Sequence, residues 1–110
     1  MKKKNKDSYT KIIDRTIKIS SKKGNGILKF SLTTDSKGKV YRYSLTYINL
    51  SLCSVDNGRV LGFDNCHGYH HRHYMGKEED IHFTSYEELA ECFEKEWRAL
   101  HEKAKKQNKR

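Results

Sequence analysis

Apolar and polar positions alternate along the first two-thirds of the chain, then switch to a helical period. From Lys11 to Ile19, the apolar residues Ile13, Ile17 and Ile19 share one face with Arg15, while Asp14, Thr16 and Lys18 share the other. A period of two marks a half-buried strand, because successive side chains leave a pleated backbone on opposite sides. Lys23-Gly24-Asn25-Gly26 follows, and glycine and asparagine tolerate the positive φ of a tight turn. Leu28, Phe30 and Leu32 alternate with Lys29, Ser31 and Thr33 in a second strand, closed by the turn Asp35-Ser36-Lys37-Gly38. A long third strand sets Tyr41, Tyr43, Leu45 and Tyr47 on one face and Ile48, Leu50 and Leu52 on the other. The apolar phase flips near Tyr47, which requires a bulge or bend there. Asp56-Asn57-Gly58 is a hairpin signal. It returns the chain through Val60, Gly62 and Asp64 on one face and Leu61 and Phe63 on the other. A short fifth strand is expected around Asp80 to Phe83.

The last element is a helix. Ser85 with Glu88 three residues on reads as a capping box, and Glu87, Glu88 and Glu91 favour the positive end of the helix dipole. Tyr86, Leu89, Ala90, Phe93, Trp97, Leu100 and Ala104 recur at helical spacing and form one apolar stripe. The expected fold is therefore α+β: an antiparallel β-meander of four to five strands packed against one long C-terminal helix. Trp97 is the expected anchor of that packing. The expected organisation is a single domain over residues 9–104, between a flexible basic tail at 1–8 and a basic tail at 105–110.

Composition narrows the function. The chain has 110 residues, 35% hydrophobic and 34% charged, enough for one thin core. No apolar run approaches the ~18 residues of a membrane span, and the lysine-rich start leads into no apolar signal segment. The expectation is a cytoplasmic protein with no membrane partner. Cys53, Cys66 and Cys92 are widely spaced with no CxxC pair, so they read as reduced thiols. The net charge is +9, and residues 1–25 hold nine Lys/Arg against two Asp/Glu. Such an excess suits a polyanion, since each lysine set on a phosphate releases a condensed counterion. Solubilising tails or an acidic protein partner account for the same charge.

The chemistry is concentrated between Asp64 and Tyr74. Four of the six histidines, His67, His70, His71 and His73, fall within seven residues there. Histidine exchanges protons near neutral pH, a guanidinium such as that of Arg72 suits phosphate, and Asp64 is placed to orient an imidazole. In an extended run, His71 and His73 share one face, with Arg72 and Tyr74 opposite. Two uses follow. In phosphodiester cleavage, one histidine takes the proton of a ribose 2′-OH, another protonates the leaving oxygen, and Arg72 or Lys77 stabilises the phosphorane charge. In a metal site, His71 and His73 take a third ligand from His67, His70 or Asp64. A solvated loop is the plain alternative. Cys66 beside His67 is a weak nucleophile candidate, because sequence neighbours rarely face each other. His82 and His101, standing alone, read as surface or internally satisfied residues. The tyrosine row Tyr41, Tyr43 and Tyr47 reads as core more readily than as a base-stacking platform.

The segment from Val60 to Trp97 resembles the TumE family of small bacterial toxins from type II toxin–antitoxin pairs. The family pattern is a strand ending in Asp-Asn, a glycine loop, His-x-His-Tyr, a glycine, a short strand and a helix. Here those positions are Asp64, Asn65, Gly68, His71, His73, Tyr74 and Gly76. The resemblance covers about residues 40–100; His67 and His70 are extra to the pattern. It implies a cytoplasmic toxin that cleaves RNA, held inactive by a small helix-turn-helix antitoxin. Combined with the histidine chemistry, the expectation is a metal-independent endoribonuclease with no cofactor. His71 and His73 act as acid and base, Asp64 orients, and Asn65, Arg72, Tyr74 and Lys77 bind substrate. The alternatives are a non-catalytic RNA- or antitoxin-binding module and a histidine-ligated metalloprotein. A tyrosine-rich edge strand leaves a homodimer open.

Overall fold

A computed structural model describes residues 8–108, so all of the expected N-terminal tail except Ser8 lies outside them. The chain folds as β1 (Tyr9–Lys18), β2 (Ile27–Asp35), β3 (Val40–Ile48), β4 (Arg59–Asp64), β5 (His71–Tyr74), β6 (Lys77–Asp80) and α1 (Tyr86–Asn108). The strands form one antiparallel sheet in chain order. The α+β meander is as expected, but with six strands rather than four to five. The difference lies in the histidine segment. His71–Tyr74 and Lys77–Asp80 pair as a hairpin through Met75 and Gly76, both at positive φ (47° and 87°). The expected strand at Asp80 to Phe83 gives way to a loop from Ile81 onward.

Register sorts the side chains onto two faces. Phe30, Leu45, Phe63 and Arg72 stand opposite one another across β2 to β5, as do Leu28, Tyr47, Leu61 and Tyr74. This is the face α1 covers: Phe93 meets Phe30 and Phe63 edge-on at 5.8 and 6.2 Å. Tyr43, Leu45, Tyr47, Leu61 and Phe63 are buried there together with Leu89, Phe93, Trp97 and Leu100 from the helix stripe. Tyr43 and Tyr47 are thus core residues. On the opposite face, one row runs Asp14, Ser31, Ser44, Asp64, His71, Asp80, and the next runs Thr16, Lys29, Thr46, Gly62, His73, Glu78. No described helix packs on that polar face.

The bulge expected near Tyr47 falls between Tyr47 and Ile48. The third strand stops at Ile48 and does not reach Leu52. Asn49 ends it: its Oδ1 accepts from the N–H and hydroxyl of Ser51, and its buried Nδ2 donates to the Gly24 carbonyl and the Tyr47 hydroxyl. An asparagine satisfying nearby backbone in this way favours a turn over a continued ladder. The tyrosine-rich strand is also internal, between β2 and β4. It therefore offers no edge to a second copy, and the ground for a homodimer falls away. His101 is a satisfied core residue: its Nε2–H donates to the Lys23 carbonyl at 2.7 Å, so its Nδ1 accepts from the Tyr47 hydroxyl at 2.7 Å. At the start of α1, Ser85 Oγ accepts the Glu88 N–H at 3.1 Å. The Glu88 carboxylate turns instead to the Thr84 hydroxyl, so only half of the expected capping box forms.

Candidate active site

Asp64 closes β4, and the antiparallel register sets it directly opposite His71, with Gly62 opposite His73. All three expected catalytic residues, His71, His73 and Asp64, therefore meet on the polar face. Asp64 Oδ2 accepts a hydrogen bond from His73 Nε2 at 3.0 Å, and its Oδ1 accepts from the Cys66 N–H at 3.0 Å. A carboxylate only accepts, so in the neutral ring Nε2 carries the proton and Nδ1 the lone pair. The His71 and His73 rings lie 5.9 Å apart. Glu78 stands between them, its carboxylate 2.9 Å from His71 Nδ1 and 4.0 Å from His73 Nδ1.

His71 is the more enclosed of the two, with a side chain 3% exposed against 13% for His73. Tyr69 packs on it edge-on at 4.1 Å. The close approach of Glu78 is not in line for a hydrogen bond, and both ring nitrogens of His71 are buried without one among the described residues. Such unsatisfied groups are few in folded proteins and gather where function retains them.

The expected substrate ligands do not join this site. Asn65 faces the neighbouring strand: its Oδ1 accepts from the Tyr43 N–H at 3.0 Å and its Nδ2 donates to the Tyr41 carbonyl at 3.1 Å. The side chain stitches the end of β4 to β3. Asn65→Ala is expected to cost about 1–3 kcal/mol by stranding a part-buried amide, measured as a shift in the urea midpoint. Arg72 points to the helix face, where Glu96 (2.6 Å) and Glu79 (3.2 Å) take its guanidinium and Tyr74 lies beneath it. Burial alone would lower its pKa, but bonding to Glu96 and the charges of Glu96 and Glu79 outweigh this and raise it. Arg72 thus lies on the face opposite His71 and His73, Tyr74 shares that side, and Lys77 opposite Tyr74 is exposed there. His70 also faces the helix. It stacks on Phe83 at 4.4 Å, and its Nδ1 lies 2.8 Å from the Tyr43 hydroxyl. Burial, then the charge of His71, holds its pKa below the ordinary value, while burial and the charge of Asp64 raise that of Tyr43. His67 is exposed. Among the described residues no three His, Cys, Asp or Glu side chains gather to hold a metal ion.

Two residues of the site escaped the sequence reading, Glu78 and Arg59. Arg59 begins β4 and lies back over Gly62, where a Cβ would meet its Cδ at 2.9 Å. Its Nε bonds Asp56 at 2.7 Å and its Nη1 comes within 3.9 Å of Asp64 Oδ2. This brings the guanidinium beside the Asp64–His73 pair that Arg72 does not reach. The sequence signal was the glycine: a residue without a side chain, two before Asp64 on the same face, opens a slot for a neighbour.

No curated protein and no solved structure matches the chain. The family model described as Toxin TumE matches residues 5–101, a span that takes in β1 and β2 as well as the segment from 40 to 100. Within it lie Asp64, His71 and His73 on the polar face, Asn65 clamping β4 to β3, Tyr74 beneath Arg72 on the opposite face, and Gly68 and Gly76 at positive φ in the two loops that flank β5. Membership implies a toxin component and, with it, an antitoxin partner. The chain belongs to the TumE toxin family.

Proposed function

We propose that this toxin is an endoribonuclease that cleaves RNA without a metal ion, through the imidazoles of His73 and His71. One observation carries the reading: an imidazole bonded to a carboxylate, with a second imidazole 5.9 Å away, on a sheet face that no described helix covers. Asp64 holds His73 with Nδ1 free to accept a proton. His73 takes the proton of a ribose 2′-OH as that oxygen bonds to phosphorus. The bond from phosphorus to the 5′ oxygen then breaks, and that oxygen receives a proton from His71, leaving a 2′,3′-cyclic phosphate. Arg59 takes the place first given to Arg72 and offsets the charge of the phosphorane. Tyr69 must lift from His71 as substrate enters; it stands exposed in the loop before β5.

The activity belongs in the cytoplasm, and a small helix-turn-helix protein is the proposed antitoxin. The test is to express the chain with its antitoxin withheld and follow growth and RNA integrity. His71→Ala and His73→Ala are each expected to abolish toxicity; variants as toxic as wild type would overturn the assignment. A second reading, a non-catalytic RNA-binding module, draws on the burial of His71. It forecasts toxicity without new RNA ends and salt-sensitive RNA binding that survives His73→Ala.

A further inference from the structure

Resting on the endoribonuclease reading, we infer that the uncovered face of β1 to β3 is a track for the RNA backbone, with Lys29 as the ligand of a phosphate away from the scissile one. The two polar rows differ in charge. The row through Asp64 also holds Asp14 and Asp80, which repel a polyanion. The row through His73 runs Thr16, Lys29, Thr46 and Gly62 and meets no acid before Glu78 on β6. At Gly62 the missing side chain is replaced by the overlying Arg59. The lane thus presents an ammonium, a hydroxyl, a guanidinium and an imidazole in order.

A depression of ≈260 Å³ opens at the far end of this lane, lined by Thr16, Lys29, Ser31, Ser44 and Thr46 together with Arg15, Phe30 and one acid, Asp14, whose carboxylate lies 3.9 Å from the Lys11 ammonium. Lys29 is exposed, and no ion pair holds it among the described residues. Hydroxyls and an ammonium suit phosphate and ribose oxygens and do not read base identity. No aromatic side chain stands in this row, so the track grips backbone rather than stacked bases. Lys29 on β2 and His73 on β5 are three strand spacings apart, about 14 Å. A substrate cut at His73 therefore reaches Lys29 only if it has a further phosphate. A dinucleotide has none to offer.

The experiment compares steady-state cleavage of a single-stranded RNA oligonucleotide and of a dinucleotide with the same scissile step, using the full chain. Lys29→Glu is expected to raise KM for the oligonucleotide severalfold, with kcat and all dinucleotide kinetics unchanged. The salt dependence of oligonucleotide binding should fall by about one counterion. Lys95→Glu, the same charge reversal on the helix, is the control and should change neither substrate. An unchanged oligonucleotide KM in Lys29→Glu, or an equal effect of Lys95→Glu, overturns the track. Should the wild-type chain cleave neither substrate, the endoribonuclease reading fails by itself. Oligonucleotide binding then decides the track: weakened by Lys29→Glu alone it stands, unchanged it falls.

Discussion

Phe93→Ala is expected to destabilise the fold by about 3–5 kcal/mol, the cost of emptying a fully packed aromatic site. Phe93 is 1% exposed and meets Phe30 on β2 and Phe63 on β4 edge-on, so one ring ties the helix to strands on either side of β3. A domain of this size has roughly 5–15 kcal/mol to lose, so the variant should unfold at a much lower denaturant concentration. Urea unfolding followed by Trp97 fluorescence measures it. Trp97 looks like the natural anchor from its size and its place in the stripe. It is 9% exposed, however, and its indole N–H is buried without a hydrogen-bond partner among the described residues, which offsets part of what its rings contribute. Trp97→Ala is therefore expected to cost less than Phe93→Ala. A loss for Phe93→Ala below about 1 kcal/mol, the scale of an ordinary substitution, would mean that the helix is held elsewhere.

Strands with regular alternation were legible because one face is dry and the other wet. Leu28, Phe30 and Leu32 are spaced by two, the helix covers that face, and the pattern transmits the burial directly. The β5–β6 hairpin was not legible as a pair. Its first strand alternates histidine with arginine and tyrosine, and its second is one lysine followed by three acids, so polarity does not report the pleat. Its turn, Met75-Gly76, also begins with a residue that gives no turn signal. Leu50 and Leu52 misled for the opposite reason. They extend the alternation past Ile48, but Asn49 withdraws the backbone from the ladder and leaves Leu50 70% exposed.

The site was half legible. A period of two placed His71 and His73 on one face and Arg72 and Tyr74 on the other, and the register bears this out. The same rule already set Arg72 apart from the histidines, and its assignment to phosphate was chemistry overriding geometry. Single-strand periodicity hid two other residues that stand beside the histidines. Arg59 reaches the site by lying back across Gly62, and Glu78 arrives from the far side of an unforeseen hairpin. Lys29 is further away still in sequence, and three cross-strand registers in succession align it with His73. Single-strand periodicity carries no such information.

His73→Ala in the purified toxin should lower kcat for RNA cleavage by roughly 10²- to 10⁴-fold, the usual contribution of a positioned general base. Asp64→Asn should lower it too. An amide offers its oxygen or its NH₂ to Nε2, and nothing then favours the tautomer that leaves Nδ1 free. Asn also retains an oxygen for the Cys66 N–H, which Asp64 Oδ1 accepts at 3.0 Å, so the loop start should survive the substitution. The informative quantity is the double variant. If the carboxylate acts through the imidazole, Asp64→Asn adds almost nothing once His73 is alanine, since groups working as a unit lose their effect together. If the two losses multiply, Asp64 acts on the substrate or on Arg59, 3.9 Å away, independently of His73. The 3.0 Å bond between Asp64 and His73 would then be a feature of the resting fold, and the general base would have to be sought in another residue of this sheet face.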